Sequence, residues 1–90
     1  MSTIIIPTPF RKFTSNKTTI TTDKKDTHEA LTELTLTHPG IKQYILNPNG
    51  TLKSNINLLV DDTDFQSSEK ESLPLNENSL LAIVPIIYGG

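Results

Sequence analysis

The sequence has no cysteine and no tryptophan, a single methionine and two histidines. Without cysteine there is no disulfide, no thiolate nucleophile and no zinc finger, and the redox compartment stays open. Long apolar runs are missing as well, and the N-terminus lacks a charged-then-apolar segment. No membrane span and no export signal is therefore expected, and the cytoplasm is the default location. Charge has no dominant sign: eight Lys and Arg stand against ten Asp and Glu, for a net −2. The chain concentrates basic residues nowhere beyond Lys24-Lys25, which leaves nucleic-acid binding without electrostatic support.

Particular residues exclude further chemistry. His28 and His38 stand without cysteine or a spaced acid, so they read as exposed helix-end residues rather than metal ligands. Asp61, Asp62 and Asp64 lack the glycine and closing glutamate of a calcium loop and read as turn residues. Ser67-Ser68 has no histidine nearby in sequence to make a nucleophile. Ninety residues bury a modest core and cannot enclose a large active site, so the chain reads as a partner of enzymes, with no metal and no bound cofactor expected.

Thr3-Ile4-Ile5-Ile6 is β-branched throughout and stops at Pro7, which predicts a first strand, covered on both faces or central in a sheet. Pro7-Thr8-Pro9 predicts an extended turn. Thr18 to Thr22, with one large apolar residue, predicts an edge strand antiparallel to the first. Asp26-Thr27-His28-Glu29 opens a helix, with Asp26 or Thr27 as cap and Glu29 placed to complete a capping box. Ala30, Leu31 and Leu34 form its buried face, and His38-Pro39-Gly40 ends it.

A short helical turn follows with Ile41, Tyr44 and Ile45 on one side, and Asn47-Pro48-Asn49-Gly50 is a turn. Ile56 to Val60 reads as a strand with Ile56, Leu58 and Val60 inward. Asp61-Asp62 turns the chain into a short edge strand anchored by Phe65. Gln66-Ser67-Ser68 then leads a polar loop to Leu73-Pro74-Leu75. The order β-β-α-β-β-β does not alternate strands with helices, so it excludes a doubly wound fold and predicts an α+β sheet with one helix packed across it.

The last eleven residues, Leu80 to Gly90, organise the rest. Leu80 to Pro85 reads as a buried central strand, and Pro85, having no N–H, is expected to end the ladder. The expected division is a domain over 1–85 and a flexible tail over 86–90. Two terminal glycines thread a narrow channel more easily than any other pair, since they carry no Cβ.

A core strand followed by Pro85-Ile86-Ile87-Tyr88-Gly89-Gly90 resembles the ThiS/MoaD sulfur-carrier family, ubiquitin-like proteins of β-grasp fold. Three further stretches agree in order. Ile6-Pro7-Thr8-Pro9-Phe10-Arg11-Lys12-Phe13-Thr14 is similar to the Ile-Pro-Thr-x-Leu-Arg-x-x-Thr opening of the branch that supplies sulfur to cysteine synthases, with Phe10 in place of leucine. His38-Pro39-Gly40-Ile41 is similar to its Tyr-Pro-Gly-Ile, and Ile56-Asn57-Leu58-Leu59-Val60 to its Val-Asn-Ile-Tyr-Val. The family usually carries Asn-Gly where this chain has Asp61-Asp62, a departure expected to strain or loosen the turn. Tyr88 stands where relatives carry a small residue.

The resemblance implies a mixed sheet with the last strand central and parallel to the first. It also implies a sulfur carrier that is not itself an enzyme. Gly90 would be adenylated by a ubiquitin-activating-like adenylyltransferase, which uses ATP, and converted to a thiocarboxylate. Pro85, Ile86, Ile87, Tyr88 and Gly89 would thread the channel of a recipient: a cysteine synthase, the large subunit of molybdopterin synthase, or a thiazole synthase. The opening favours cysteine synthesis. A ubiquitin-like modifier joined through Gly90 to lysines, and a β-grasp interaction module that is never activated, remain open. The free chain is expected to be a monomer. If Leu81 and Ile83 face the helix, alternation puts Leu80 and Ala82 on the open face beside Ile5 and Leu59, a candidate docking patch.

Overall fold

The computed structural model describes residues 1–61, 63–66 by their backbone, and 73–86. Five strands form one mixed sheet: β1 (Ser2–Ile5), β2 (Thr19–Thr22), β3 (Ile56–Val60), β4 (Thr63–Gln66) and β5 (Leu80–Pro85), in the order β2-β1-β5-β3-β4. β5 lies in the middle, parallel to β1 and antiparallel to β3, while β2 and β4 are antiparallel edges. The helix α1 (Thr27–Thr37) packs on one face, and the one-turn helix α2 (Lys42–Ile45) follows a 3₁₀ turn at Pro39–Ile41. This is the ubiquitin-like β-grasp arrangement, an α+β fold with the last strand central.

Strand alternation decides what is buried. Ile4, Leu81, Ile83, Ile56, Leu58 and Val60 point to the helix side, where Ala30, Leu31 and Leu34 of α1 meet them. Each buried isoleucine, leucine or valine contributes about 1.5–3 kcal/mol by leaving water. β1 is covered on one face only: Ile4 is buried, whereas Thr3 and Ile5 are half-buried on the other face. The sequence's β-branched run therefore marks a strand next to the edge strand, its second face lined with threonine and isoleucine.

Several local expectations change. Pro7-Thr8-Pro9 does not stay extended. Pro7 (ψ 154°) is the last extended residue, and Thr8–Thr14 is a 3₁₀ helix with Pro9 in its first turn. A proline's fixed φ suits that position, where no N–H partner is needed. The helix buries Phe10 and Thr14. Tyr44 does not join Ile41 and Ile45 in the core. It is 42% exposed, and its ring lies on Phe13 at 5.0 Å and near Phe10 at 6.0 Å.

The cap of α1 is Asp26, whose Oδ1 accepts from the Glu29 N–H at 2.8 Å. Thr27 is buried instead, and joins the helix to the far end of the 67–75 connection. Its N–H donates to the Leu73 carbonyl (2.8 Å) and its Oγ1 accepts from the Leu73 N–H (2.9 Å). Leu73 and Leu75 are themselves core residues, 5% exposed each. Three of the helix's threonines, poor helix formers, turn their hydroxyls to carbonyls three or four residues back, which satisfies them inside the helix.

Candidate functional site

The register brings the four open-face residues together. Ile5 pairs with Ala82, and Ala82 on its other side pairs with Leu59, so three of them form one row across β1, β5 and β3. Leu80 lies two residues before Ala82 on the same face, paired with Thr3. Leu80 is 49% exposed, and Ile5, Ala82 and Leu59 are half-buried. Val84 extends the patch in the other direction, 40% exposed beside Asn57. The period-2 rule that selects Leu80 and Ala82 also selects Val84, so this residue was within reach of the sequence.

At the start of β5 a feature appears that the sequence did not announce. Asp61 has φ 49°, in the left-handed region that aspartate tolerates better than most residues. Its N–H donates to the Leu80 carbonyl at 3.0 Å. Its Oδ1 accepts from the Leu80 N–H at 2.8 Å, and its Oδ2 accepts from the Ser79 hydroxyl at 2.9 Å. The carboxylate stands where a backbone carbonyl would close an antiparallel pair. The strain expected of this turn is present at Asp61, whose side chain ties the end of β3 to the start of β5; Asp62 lies outside the described residues.

The other end of β5 holds the root of the tail. Pro85 pairs with Ile56, and the Ile86 N–H donates to the Asn55 carbonyl at 2.7 Å. The ladder thus runs one bond past the proline. Pro85 sits at a non-hydrogen-bonded position relative to β3, so its nitrogen points toward β1, which has already ended. Ile86, expected as the first residue of the tail, is half-buried and held to the sheet. Ile87, Tyr88, Gly89 and Gly90, which carry the chemical expectation, lie outside the described residues.

Among the described residues no group of three or more His, Asp or Glu could hold a metal ion, and no helix is long and apolar enough to cross a membrane. A recess of about 220 Å³ between α1 and the 46–52 loop is lined mainly by Leu31, Leu46, Leu52, Leu58 and threonines.

Solved structures share this architecture over the whole chain. A chain of the BexX/CysO complex from Amycolatopsis orientalis superposes with a TM-score of 0.85 at 26% identity, covering 100% of both chains. CysO from Mycobacterium tuberculosis gives 0.82 at 21% identity over 97% of this chain and 100% of its own. Small archaeal modifier protein 1 from Methanosarcina acetivorans gives 0.83 at 18% over 99% and 95%. At those last two identities the likeness is one of fold. No curated protein matches significantly by sequence. The profile of the ThiS family matches residues 4–90, from the first strand through the glycine pair, and the chain belongs to the ThiS family.

Proposed function

We propose that this protein is a sulfur carrier acting through Gly90, a partner and substrate of enzymes with no catalysis of its own. The observation that carries the reading is the family match through residue 90 on a fold whose central strand delivers the following residues from a rigid root at Ile86. A carboxylate is a poor acyl donor. An adenylyltransferase joins the Gly90 carboxylate to the α-phosphate of ATP and releases pyrophosphate; a sulfur nucleophile then displaces AMP, leaving a thiocarboxylate. ATP belongs to that enzyme, and the carrier holds no cofactor. Ile87, Tyr88 and Gly89, following the root at Pro85 and Ile86, form the arm that places the sulfur in a recipient's active site, with a cysteine synthase favoured over molybdopterin or thiazole synthesis by the Ile-Pro-Thr-Pro-Phe-Arg opening. The patch of Ile5, Leu59, Leu80, Ala82 and Val84 is the docking face, and the cytoplasm the place of action.

Incubation with the adenylyltransferase, ATP and a sulfide donor is expected to add the mass of one oxygen-to-sulfur exchange at Gly90, and removal of Gly90 to abolish it. Exchange that persists without Gly90 rejects the reading. A second reading is favoured by the likeness to small archaeal modifier protein 1: transfer of the activated Gly90 to lysines of other proteins. Lysine adducts in cell extract that depend on Gly90 distinguish it.

A further inference from the structure

The cations scattered along the sequence gather at one end of the molecule. β1 ends, β2 and β3 begin, and β5 ends at the same edge of the sheet. Five of the eight Lys and Arg residues stand there. The Arg11 Nε donates to the Ile6 carbonyl just past β1 (3.1 Å), and Lys17 precedes Thr18, whose carbonyl accepts from the Ile6 N–H (2.9 Å). Lys12 lies over the Phe13 ring at 5.2 Å, and that ring stacks on Tyr44, two residues after Lys42 on α2. Lys53 lies two residues before Asn55, which holds Ile86, and shares a surface recess with Lys42.

The acids among the described side chains lie elsewhere. Every Asp and Glu whose side chain is described (Asp23, Asp26, Glu29, Glu33, Asp61 and Glu77) belongs to the opposite end or to the first turns of α1, which starts there. A chain of net charge −2 therefore presents a cationic rim around the root of its last residues.

We propose that this rim, Arg11, Lys12, Lys17, Lys42 and Lys53, is an electrostatic docking collar for an enzyme whose tail-accepting channel has an acidic mouth. The inference rests on the proposed activation of Gly90. The four residues after Ile86 reach at most about 14 Å when fully extended. Any enzyme acting on Gly90 must then bring its channel mouth within about that distance of Ile86, close to the collar and only slightly beyond a Debye length at 0.1 M salt. A basic mouth would be repelled and an acidic one drawn in, with the apolar face docking beside it. The acidic far end orients the approach, since it repels the same mouth. An extended nucleic acid would meet the acidic end as well as the collar, whereas an acidic channel mouth is a local patch that meets the collar alone, so the protein partner is favoured.

The test is adenylation kinetics with the organism's own ubiquitin-activating-like adenylyltransferase, between 50 and 300 mM NaCl. The variant is Lys12→Gln/Lys17→Gln/Lys42→Gln, three exposed side chains. At low salt kcat/KM is expected to fall about tenfold with kcat unchanged, and its salt dependence to flatten. The corresponding triple Lys→Arg protein should behave as wild type, and Lys24→Gln/Lys25→Gln, at the other end, should change little. The double variant Lys17→Gln/Lys42→Gln, which spares the Lys12 ring contact, covers a loss of folding in the triple.

If the wild type is adenylated and the glutamine variants keep its kcat/KM and salt slope, the collar is wrong while the carrier reading stands. Loss of retention on heparin without any change in adenylation also overturns the collar, and points to a polyanion instead. A wild type that is never adenylated removes both.

Discussion

Asp61 carries two opposing effects in one residue. Its φ of 49° costs a residue with a Cβ about 1–2 kcal/mol, while its carboxylate takes the Leu80 N–H and the Ser79 hydroxyl. Substitutions separate the two. Asp61→Asn keeps an acceptor and the tolerance for positive φ, and should lose less than about 1 kcal/mol. Asp61→Gly relieves the backbone but loses both bonds, and Asp61→Ala keeps the strain without them and should lose about 2–3 kcal/mol. Urea denaturation is expected to rank wild type, Asn, Gly and Ala in falling order; an Asp61→Gly protein more stable than wild type would mean the carboxylate bonds contribute nothing. Gly40 is the other sensitive position. A Cβ there would lie 2.9 Å from Phe13 Cδ1, and that ring is held between Lys12 and Tyr44. Gly40→Ala should lower stability by about 1 kcal/mol, a drop of a few degrees in thermal midpoint for a domain this size.

The elements depend on bonds at their ends. α1 is threonine-rich and would be marginal alone, so its cap matters. Asp26→Ala should cost about 1 kcal/mol, read by thermal melting, and equal melting temperatures would assign the helix entirely to packing. The ends of α1 were legible because caps, proline and glycine act within a few residues, although the choice of Asp26 over Thr27 as the cap came from the structure. The anchoring of Thr27 to Leu73 was not, since the partners are 46 positions apart. The same holds for β5. Proline's missing N–H is a local rule that predicts the end of a ladder, but whether that N–H would have met a partner depends on which neighbour lies on its side. Hydrogen exchange should find the Ile86 amide protected like those of β5, through its bond to the Asn55 carbonyl; exchange at the rate of an unstructured peptide would contradict the bond.

The whole molecule has two faces and two ends of different character. One face of the sheet is covered by α1 and the other carries the row Ile5–Ala82–Leu59 with Leu80 and Val84. Val84→Asp and Leu59→Asp place charge on that open face, so the protein should stay folded while binding to the proposed activating enzyme weakens about tenfold or more, the loss of a central apolar contact. Titration calorimetry beside circular dichroism checks both parts, and an unfolded Val84→Asp protein would assign the face to the core.

What the sequence determined by itself was everything set by short-range rules and by motif. Strand and helix periods placed Ile56, Leu58, Val60, Leu81 and Ile83 inward, the capping signal placed α1, and the ordered stretches from Ile6 to Gly90 named the family and hence the central position of β5. The tertiary structure alone decided what depends on pairs far apart in the chain. Asp61 meets Ser79 and Leu80 only because β3 and β5 are neighbours, and Leu73 and Leu75 enter the core although the preceding stretch is polar. Charge is the clearest case: no segment beyond Lys24-Lys25 concentrates basic residues, yet a sheet with β1 and β5 parallel brings Arg11, Lys17 and Lys53 to the edge where Ile86 leaves it. Sequence composition sums charge over the chain, whereas the field at a surface depends on which strand ends the fold sets side by side.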